Sequence, residues 1–254
     1  MSVAADPVRA SIGAMAAPLE LSPTARLFVL TGAGISAESG IATFRDAGGT
    51  WERFRFEDVA SPEAWARDRE LVWRFYSDRR AQAEACRPNA AHRALAELEA
   101  RLGERMFLCT QNVDPLHEAA GSRRVHHMHG ELYKSRCESE TCALPAFDDH
   151  ALYRTARDHA SCRACGAAIR PDIVWFGEMP FGLDRIACEL DAADFFVTIG
   201  SSGAVYPAAG FVARAKQLGR ATTVYVGPER PDNASSFDEI RLGKAGDVVP
   251  TLFA

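Results

Sequence analysis

Four short apolar runs recur along the chain, each closing at a glycine or a polar residue. They are Arg26-Leu-Phe-Val-Leu-Thr31, Met106-Phe-Leu-Cys-Thr110, Phe195-Phe-Val-Thr-Ile199 and Thr222-Thr-Val-Tyr-Val226. Such runs, apolar without alternation, suit strands buried on both faces of a parallel sheet. Between the first two, residues 51–102 read mostly as helix, with breaks near Ser61-Pro62 and Pro88-Asn89. Strands separated by helical stretches predict a parallel α/β sheet. Gly32-Ala-Gly34 follows the first strand, and Ser36-Ala-Glu-Ser39 reads as the opening of a helix. A strand, a glycine turn and a helix start make a phosphate-binding element. Residues 133–170 break this rhythm and read as an insertion. Residues 1–21, rich in Ala and Pro, read as a loose leader.

Composition narrows the classes. The 254 residues are 47% hydrophobic with a net charge of −5, ordinary for a soluble globular protein. No basic block is present, so nucleic acid is not expected as a ligand. No apolar run reaches the ~20 residues of a membrane helix, and the first twenty residues lack the pattern of a signal peptide. The expectation is a cytoplasmic enzyme that engages no membrane.

Seven cysteines are present, an odd number that argues against a disulfide framework. Cys137-x4-Cys142 and Cys162-x2-Cys165 form two pairs separated by nineteen residues. Each pair can make a knuckle offering two thiolates to a tetrahedral zinc. Four ligands leave no open position, so the zinc is expected to be structural. A redox Cys-x-x-Cys beside two unrelated thiols is the plainer alternative. Cys86, Cys109 and Cys188 lie alone in apolar segments and are expected to be buried structural thiols.

Gly32-Ala-Gly34 by itself is a weak signal. Position 37 is Ala where a dinucleotide loop has its third glycine, and no acidic residue closes a second strand about twenty residues on, so a dehydrogenase fits poorly. The longer string Gly32-Ala-Gly-Ile-Ser-Ala-Glu-Ser-Gly-Ile-Ala-Thr-Phe-Arg45 is far more specific. With Thr110-Gln-Asn-Val-Asp114, His127-Met-His-Gly130, Val174-Trp-Phe-Gly-Glu178, Gly200-Ser-Ser202 and Val205-Tyr-Pro207, it resembles the sirtuin family, and most of all its CobB-like bacterial branch.

The resemblance implies two lobes. A Rossmann-like NAD-binding domain would comprise 22–46, 86–132 and 171–254. A smaller lobe would combine a helical insertion at 47–85 with a zinc ribbon at 133–170. It also implies the reaction: the acyl group of an acyl-lysine protein or peptide passes to ADP-ribose, and NAD is consumed with release of nicotinamide. His129 matches the family's catalytic histidine, and Asn112 would orient ribose hydroxyls. On a strand, His127 and His129 would share one face, so the residues alone do not choose between them. Cofactor contacts are implied for Gly32, Ala33, Gly34, Ser36, Phe44, Arg45, Trp51, Gln111, Asn112, Asp114, Gly200, Ser201, Ser202, Val226, Gly227 and Ala245. Phe44 would shield the ribose and Arg45 would lie near the phosphates, followed by a mobile loop at Asp46-Ala-Gly-Gly-Thr50. Two departures stand out. Pro115 follows Asp114 and restricts its backbone, and Tyr225-Val-Gly-Pro228 replaces an Asn common near the adenine ribose.

Substrate contacts are implied for Ala60, Val174, Phe176 and Gly177, with Tyr76 and Arg79 reading the acyl group. Tyr76-Ser-Asp-Arg79 places phenol and guanidinium three residues apart, on one helix face. It resembles the pair in sirtuins that remove acidic acyl groups such as succinyl, Ala60 leaving room for the chain and Arg80 being the nearest decoy. Mono-ADP-ribosylation of protein is the alternative reaction. A non-catalytic zinc module or metabolite sensor is the third reading.

Overall fold

The computed structural model describes residues 9–12, 17–43, 55–217 and 219–253. A seven-stranded parallel sheet forms the larger layer, in the order β1-β10-β9-β8-β2-β3-β4. Its strands are β1 (Arg9–Ile12), β2 (Leu27–Thr31), β3 (Met106–Thr110), β4 (Val125–His127), β8 (Phe195–Ile199), β9 (Thr222–Gly227) and β10 (Glu239–Leu242). A second sheet of three antiparallel strands is ordered β6-β5-β7, with β5 at Gly130–Cys137, β6 at Phe147–Asp148 and β7 at Ile169–Ile173. The helices are α1 (Phe56–Val59), α2 (Pro62–Arg67), α3 (Arg69–Ala85), α4 (Ala90–Leu102), α5 (Leu116–Ala119), α6 (Leu183–Ala192), α7 (Phe211–Gln217) and α8 (Ala245–Val248).

Successive residues of β2 point to opposite faces, and both faces are covered. Leu27 and Val29 join Leu95, Leu98 and Val248 in one core, while Phe28 and Leu30 join Ile186, Leu190 and Val212 in another. Helices therefore sandwich the sheet, and each apolar run finds burial on both sides. The predicted helix breaks are helix starts. Ser61 caps α2 by accepting from the Ala64 N–H, ahead of Pro62, and Asn89 caps α4. Such caps satisfy backbone donors that the first turn leaves without a partner.

A third core joins the helical insertion to the small sheet. Val72, Trp73 and Tyr76 of α3 pack with Leu132, Ile169 and Trp175. Arg80, 1% exposed, locks this contact. It donates to the carbonyls of Leu132 and Ala151 at 2.8 and 2.7 Å and pairs with Asp149 at 3.3 Å. Arg80 is thus a structural guanidinium of the zinc lobe.

Three expectations are corrected. Part of the leader is ordered structure: Arg9–Ile12 pairs in parallel register with β10 as an edge strand, and buried Leu19 bridges to Phe253. Ser36–Ser39 opens no α-helix. Two 3-10 turns, Ala33–Ile35 and Ala37–Ser39, end at Gly40, whose φ of +91° stops propagation. Cys188 is exposed and Cys86 is partly exposed, leaving Cys109 alone of the three buried. On α6 the buried face is set by Ile186 and Leu190, four residues apart, and Cys188 falls opposite. Among the described residues no helix is long and apolar enough to cross a membrane.

Candidate active site and zinc centre

The chain leaves β2 for β3 on one side, while β8 flanks β2 on the other. Open α/β sheets bind ligands at such a switch point, beyond the carboxyl ends of the strands. Here the loops after β2 and β8 touch. The Gly34 N–H donates to the Gly200 carbonyl at 2.8 Å, and the Gly32 N–H donates to the Ile199 carbonyl at 2.9 Å. A Cβ on Gly34 would lie 2.8 Å from Gly200 Cα, and one on Gly32 2.8 Å from the Gly200 carbonyl oxygen. Only glycine permits this approach.

The loop after β3 completes the crevice. Asn112 Nδ2 donates to the Gly32 carbonyl at 3.1 Å and to Ser36 Oγ at 3.3 Å. Its Oδ1 therefore faces the other way, as an acceptor. Ser36 Oγ donates to Asp114 Oδ2 at 3.1 Å, and Asp114 Oδ1 accepts from the Leu116 N–H at 3.1 Å. Pro115 is the N-cap residue of α5, and the restriction it imposes leaves the Asp114 side chain able to accept from the Leu116 N–H. Burial pushes the Asp114 carboxyl above its ordinary range, against the opposing pull of the Leu116 N–H, the Ser36 hydroxyl, His127 and Arg79. Gln111 Nε2 donates to Ser201 Oγ at 2.9 Å and ties the two loops together.

The histidines separate by their partners. β4 ends at His127, so His129 stands in the turn before β5 and the two do not share a strand face. His129 Nδ1 meets the Gln111 carbonyl at 3.0 Å. A carbonyl only accepts, so Nδ1 carries the proton and Nε2 keeps its lone pair. Burial lowers the His129 pKa from its ordinary value, and the Gln111 carbonyl opposes this only in part. The ring is a neutral base. His127 has acceptors at both nitrogens, the Asn112 carbonyl at 2.9 Å and Glu118 Oε1 at 2.8 Å. Burial would lower its pKa, but the Glu118 carboxylate and the Asn112 carbonyl outweigh it and raise the value. His127 is thus engaged at both nitrogens in a pair with Glu118 and the Asn112 carbonyl. His126 Nε2 lies 2.9 Å from the Phe181 carbonyl, its ring against Phe107.

Other side chains behind the crevice escaped the sequence reading. Thr31 Oγ1 donates to Thr110 Oγ1 at 2.8 Å and lies 2.9 Å from His117 Nε2. Thr110 Oγ1 accepts from the Asn112 N–H at 3.0 Å. His92, in ring contact with His117, approaches Ser36 Oγ at 3.5 Å. One signal was available: Thr31 and Thr110 both end central apolar runs, and they pair in register.

Among the positions expected to contact substrate, the Val174 N–H donates to the His129 carbonyl at 2.9 Å, and the Phe176 N–H donates to the Ala60 carbonyl at 3.1 Å. Gly177, with φ +92°, turns the segment. Arg79 and Asp114 line one small cavity with Ile41, Gln82, Ala83 and Leu132. Burial lowers the Arg79 pKa, with Tyr76 and Asp114 opposing. Tyr76 is buried, and its oxygen accepts from Trp175 Nε1 at 3.1 Å.

Other positions are less directly engaged. The Val226 and Gly227 carbonyls already accept from the Gly200 and Gly243 N–H groups, and the Ser202 carbonyl accepts from the Asp232 N–H. Ala245 is buried beside the glycine loop, where Glu38 accepts from the Gly246 N–H at 2.8 Å. Phe44, Arg45, Trp51 and the Asp46–Thr50 loop lie outside the described residues.

The four cysteines converge. All Sγ atoms lie within 4.8 Å of one another, with Cys137–Cys165 at 3.4 Å and Cys142–Cys162 at 3.6 Å. A tetrahedron with Zn–S bonds of about 2.3 Å needs sulfurs about 3.8 Å apart. The Ser139 and Ala164 N–H groups each reach a sulfur at 3.4 Å, as in a pair of knuckles. Cys137, Cys142, Cys162 and Cys165 therefore fit a closed structural zinc, where the metal supplies folding energy.

Comparison with known proteins agrees with this geometry. The Sir2 family model matches residues 32–207. An NAD-dependent protein deacylase of Caulobacter vibrioides is 52% identical over 89% of this chain and 94% of its own length. The solved structure of a Sir2 homologue mutant with ADP-ribose superposes with a TM-score of 0.82, at 42% identity over 89% of this chain and 90% of that one. A Sir2 homologue in complex with NAD superposes with a TM-score of 0.80, at 43% identity over 89% and 87%. The chain belongs to the Sir2 family of sirtuins.

Proposed function

We propose that this chain is an NAD-dependent protein lysine deacylase acting in the cytoplasm, which transfers the acyl group of acyl-lysine proteins to ADP-ribose and releases nicotinamide. The observation that carries this is the His129 Nδ1 contact with the Gln111 carbonyl at 3.0 Å. It leaves Nε2 as a neutral base at the mouth of a crevice built for a dinucleotide. A general base works best when it is unprotonated at the operating pH and aimed at its proton.

The roles follow from the atoms. His129 Nε2 takes the proton of a ribose hydroxyl. Asn112 Oδ1 accepts from a ribose hydroxyl, since its Nδ2 is committed to Gly32 and Ser36. Asp114, held by Ser36 and Leu116, accepts from the nicotinamide amide. Gly32, Gly34, Gly200 and Ser201 frame the phosphates where two loops meet. Val174 and Phe176 flank the acyl-lysine, Val174 being hydrogen-bonded to His129 and Phe176 to Ala60. We further read Arg79 and Tyr76 as the pair that accommodates acidic acyl groups such as succinyl. The support is a desolvated guanidinium and a phenol one helical turn apart on α3, beside Asp114. One experiment tests the central reading. Intact mass of an acyl-lysine peptide treated with enzyme and NAD is expected to fall by the acyl group as nicotinamide appears. A gain of ADP-ribose instead would establish mono-ADP-ribosylation.

A further inference from the structure

We propose that Asn89 is a positioning residue for the nicotinamide end of the site: from the start of α4 its amide holds the Ile35–Ser39 turn, so that Ser36 presents its hydroxyl to Asp114. The inference rests on the reading of Asp114 as the nicotinamide acceptor given above.

An N-cap side chain ordinarily serves its own helix. Asn89 does so through Oδ1, which accepts from the Ala91 and His92 N–H groups at 2.9 and 3.4 Å. Those partners only donate, which fixes the orientation of the amide and turns Nδ2 away from the helix. Nδ2 donates to the Ile35 carbonyl at 2.7 Å and to Ser39 Oγ at 3.0 Å. One amide therefore caps α4 and clamps both ends of the turn that carries Ser36. Capping needs only an oxygen, so Asp or Ser would serve the helix as well. The two amide donors are surplus to the helix and act on the turn.

His92, the N3 residue of the same capping box, adds to the clamp. Its Nδ1 accepts from the Asn89 N–H at 3.3 Å, so Nε2 carries the proton and faces Ser36 Oγ at a longer 3.5 Å. Asn112 Nδ2 approaches the same oxygen at 3.3 Å. With donors on its lone-pair side, the hydroxyl gives its own proton to Asp114 Oδ2 at 3.1 Å. Burial, with Arg93 adding to it, lowers the His92 pKa to about 4, so the ring keeps this neutral form.

The clamp governs one half of the loop. Gly32 and Gly34 are held from the other side, by the Ile199 and Gly200 carbonyls at 2.9 and 2.8 Å. Releasing Asn89 thus frees the Ser36 end and leaves the phosphate frame in place.

The test uses N89D, which keeps a capping oxygen and removes both donors. Thermal stability, NAD kinetics with an acetyl-lysine peptide, product inhibition by nicotinamide, and ADP-ribose binding by calorimetry are measured. We expect nicotinamide to inhibit about 5- to 30-fold less strongly, the size of two ordinary hydrogen bonds transmitted in part, with KM for NAD rising. ADP-ribose offers Asp114 no nicotinamide and binds within about twofold of wild type. In an S36A background N89D adds less than about twofold, because the two residues act in one chain. Unchanged nicotinamide inhibition, equal losses of nicotinamide and ADP-ribose, or a full effect in the S36A background each overturns the proposal. D114N is the reference. If it leaves nicotinamide inhibition unchanged, the reading of Asp114 falls and takes the proposal with it; an effect of D114N without one of N89D overturns the proposal alone. Should N89D fold poorly, N89S, also a favoured cap and uncharged, takes its place with the same outcomes deciding.

Discussion

Replacing Arg79 with Met removes a cation while keeping much of the aliphatic stem. In the structure this guanidinium lies where burial lowers its pKa, with Tyr76 and Asp114 only partly compensating. A carboxylate entering the cavity beside Arg79 gains a hydrogen bond to a charged group, worth about 1.5–3 kcal/mol. At about 1.4 kcal/mol per decade this corresponds to about 10- to 150-fold in succinyl kcat/KM. The same substitution has a second effect. Arg79 is one of the charges holding the Asp114 pKa down against burial. Without it Asp114 protonates more readily, and both acyl substrates lose a common factor through the nicotinamide side. The quantity to measure is therefore the ratio of succinyl to acetyl kcat/KM, in which that factor cancels. Because the ion pair forms on binding and persists through the chemistry, the loss is expected mainly in KM. A ratio unchanged from wild type would refute the reasoning, since Arg79 would then shape the channel without reading the carboxylate.

Other expectations follow from the same structure. His129→Ala is expected to cost about 100-fold or more in turnover with the fold intact, and a folded variant keeping roughly a tenth of the wild-type rate would contradict its role. The His129 pKa is lowered from 6.5, so the ring protonates only in more acidic solution. The acidic limb of kcat/KM against pH is accordingly expected below 6.5, and a limb above that value would point to another base. Metal analysis is expected to give one zinc per chain, with chelation or Cys165→Ala lowering both melting temperature and activity; active protein devoid of zinc would exclude the site. Gly34→Ala drives a methyl to 2.8 Å from Gly200 Cα, which is expected to cost about 1–3 kcal/mol in denaturant unfolding, and an unshifted midpoint would show that the loops can part.

The sequence exposed those parts of the fold that depend on burial and on spacing. The runs at 106–110 and 195–199 coincide with β3 and β8, because central parallel strands must be apolar on both faces. The cysteine spacing announced the zinc knuckles for a similar reason, since ligand geometry limits spacing. The edge strand β1 could not be read, because edge pairing uses backbone groups that leave little trace in the side chains. β10 was hidden too: its buried Arg241 is tolerated because Glu239 and the Ala17 carbonyl engage it. Apart from the family resemblance, which pointed to His129, the residues themselves did not separate His127 from His129. Their local sequence is nearly symmetric, and Glu118 and the carbonyls of residues 111 and 112 break that symmetry. Tyr76, Arg79 and Arg80 show the limit of helical periodicity. It places both arginines within reach of the phenol's face, and only the carbonyls of the small sheet reveal that Arg80 is claimed elsewhere.

The small sheet joins two remote ends of the molecule. β5 starts at Gly130, directly after His129, and runs eight residues to the first zinc thiolate, Cys137. β7 returns alongside it and delivers Val174 next to His129. The span is roughly 25 Å at strand geometry, so the pair works as a lever with the metal at its far end. Slack introduced there is expected to displace His129 and Val174 together. The glycine loops at 32–34 and 200 are mounted on the other sheet and meet His129 only at one remove, through Gln111, whose carbonyl faces Nδ1 and whose amide donates to Ser201. The site therefore comes apart in halves: protein stripped of zinc would keep its grip on ADP-ribose long after it had stopped turning over acyl-lysine.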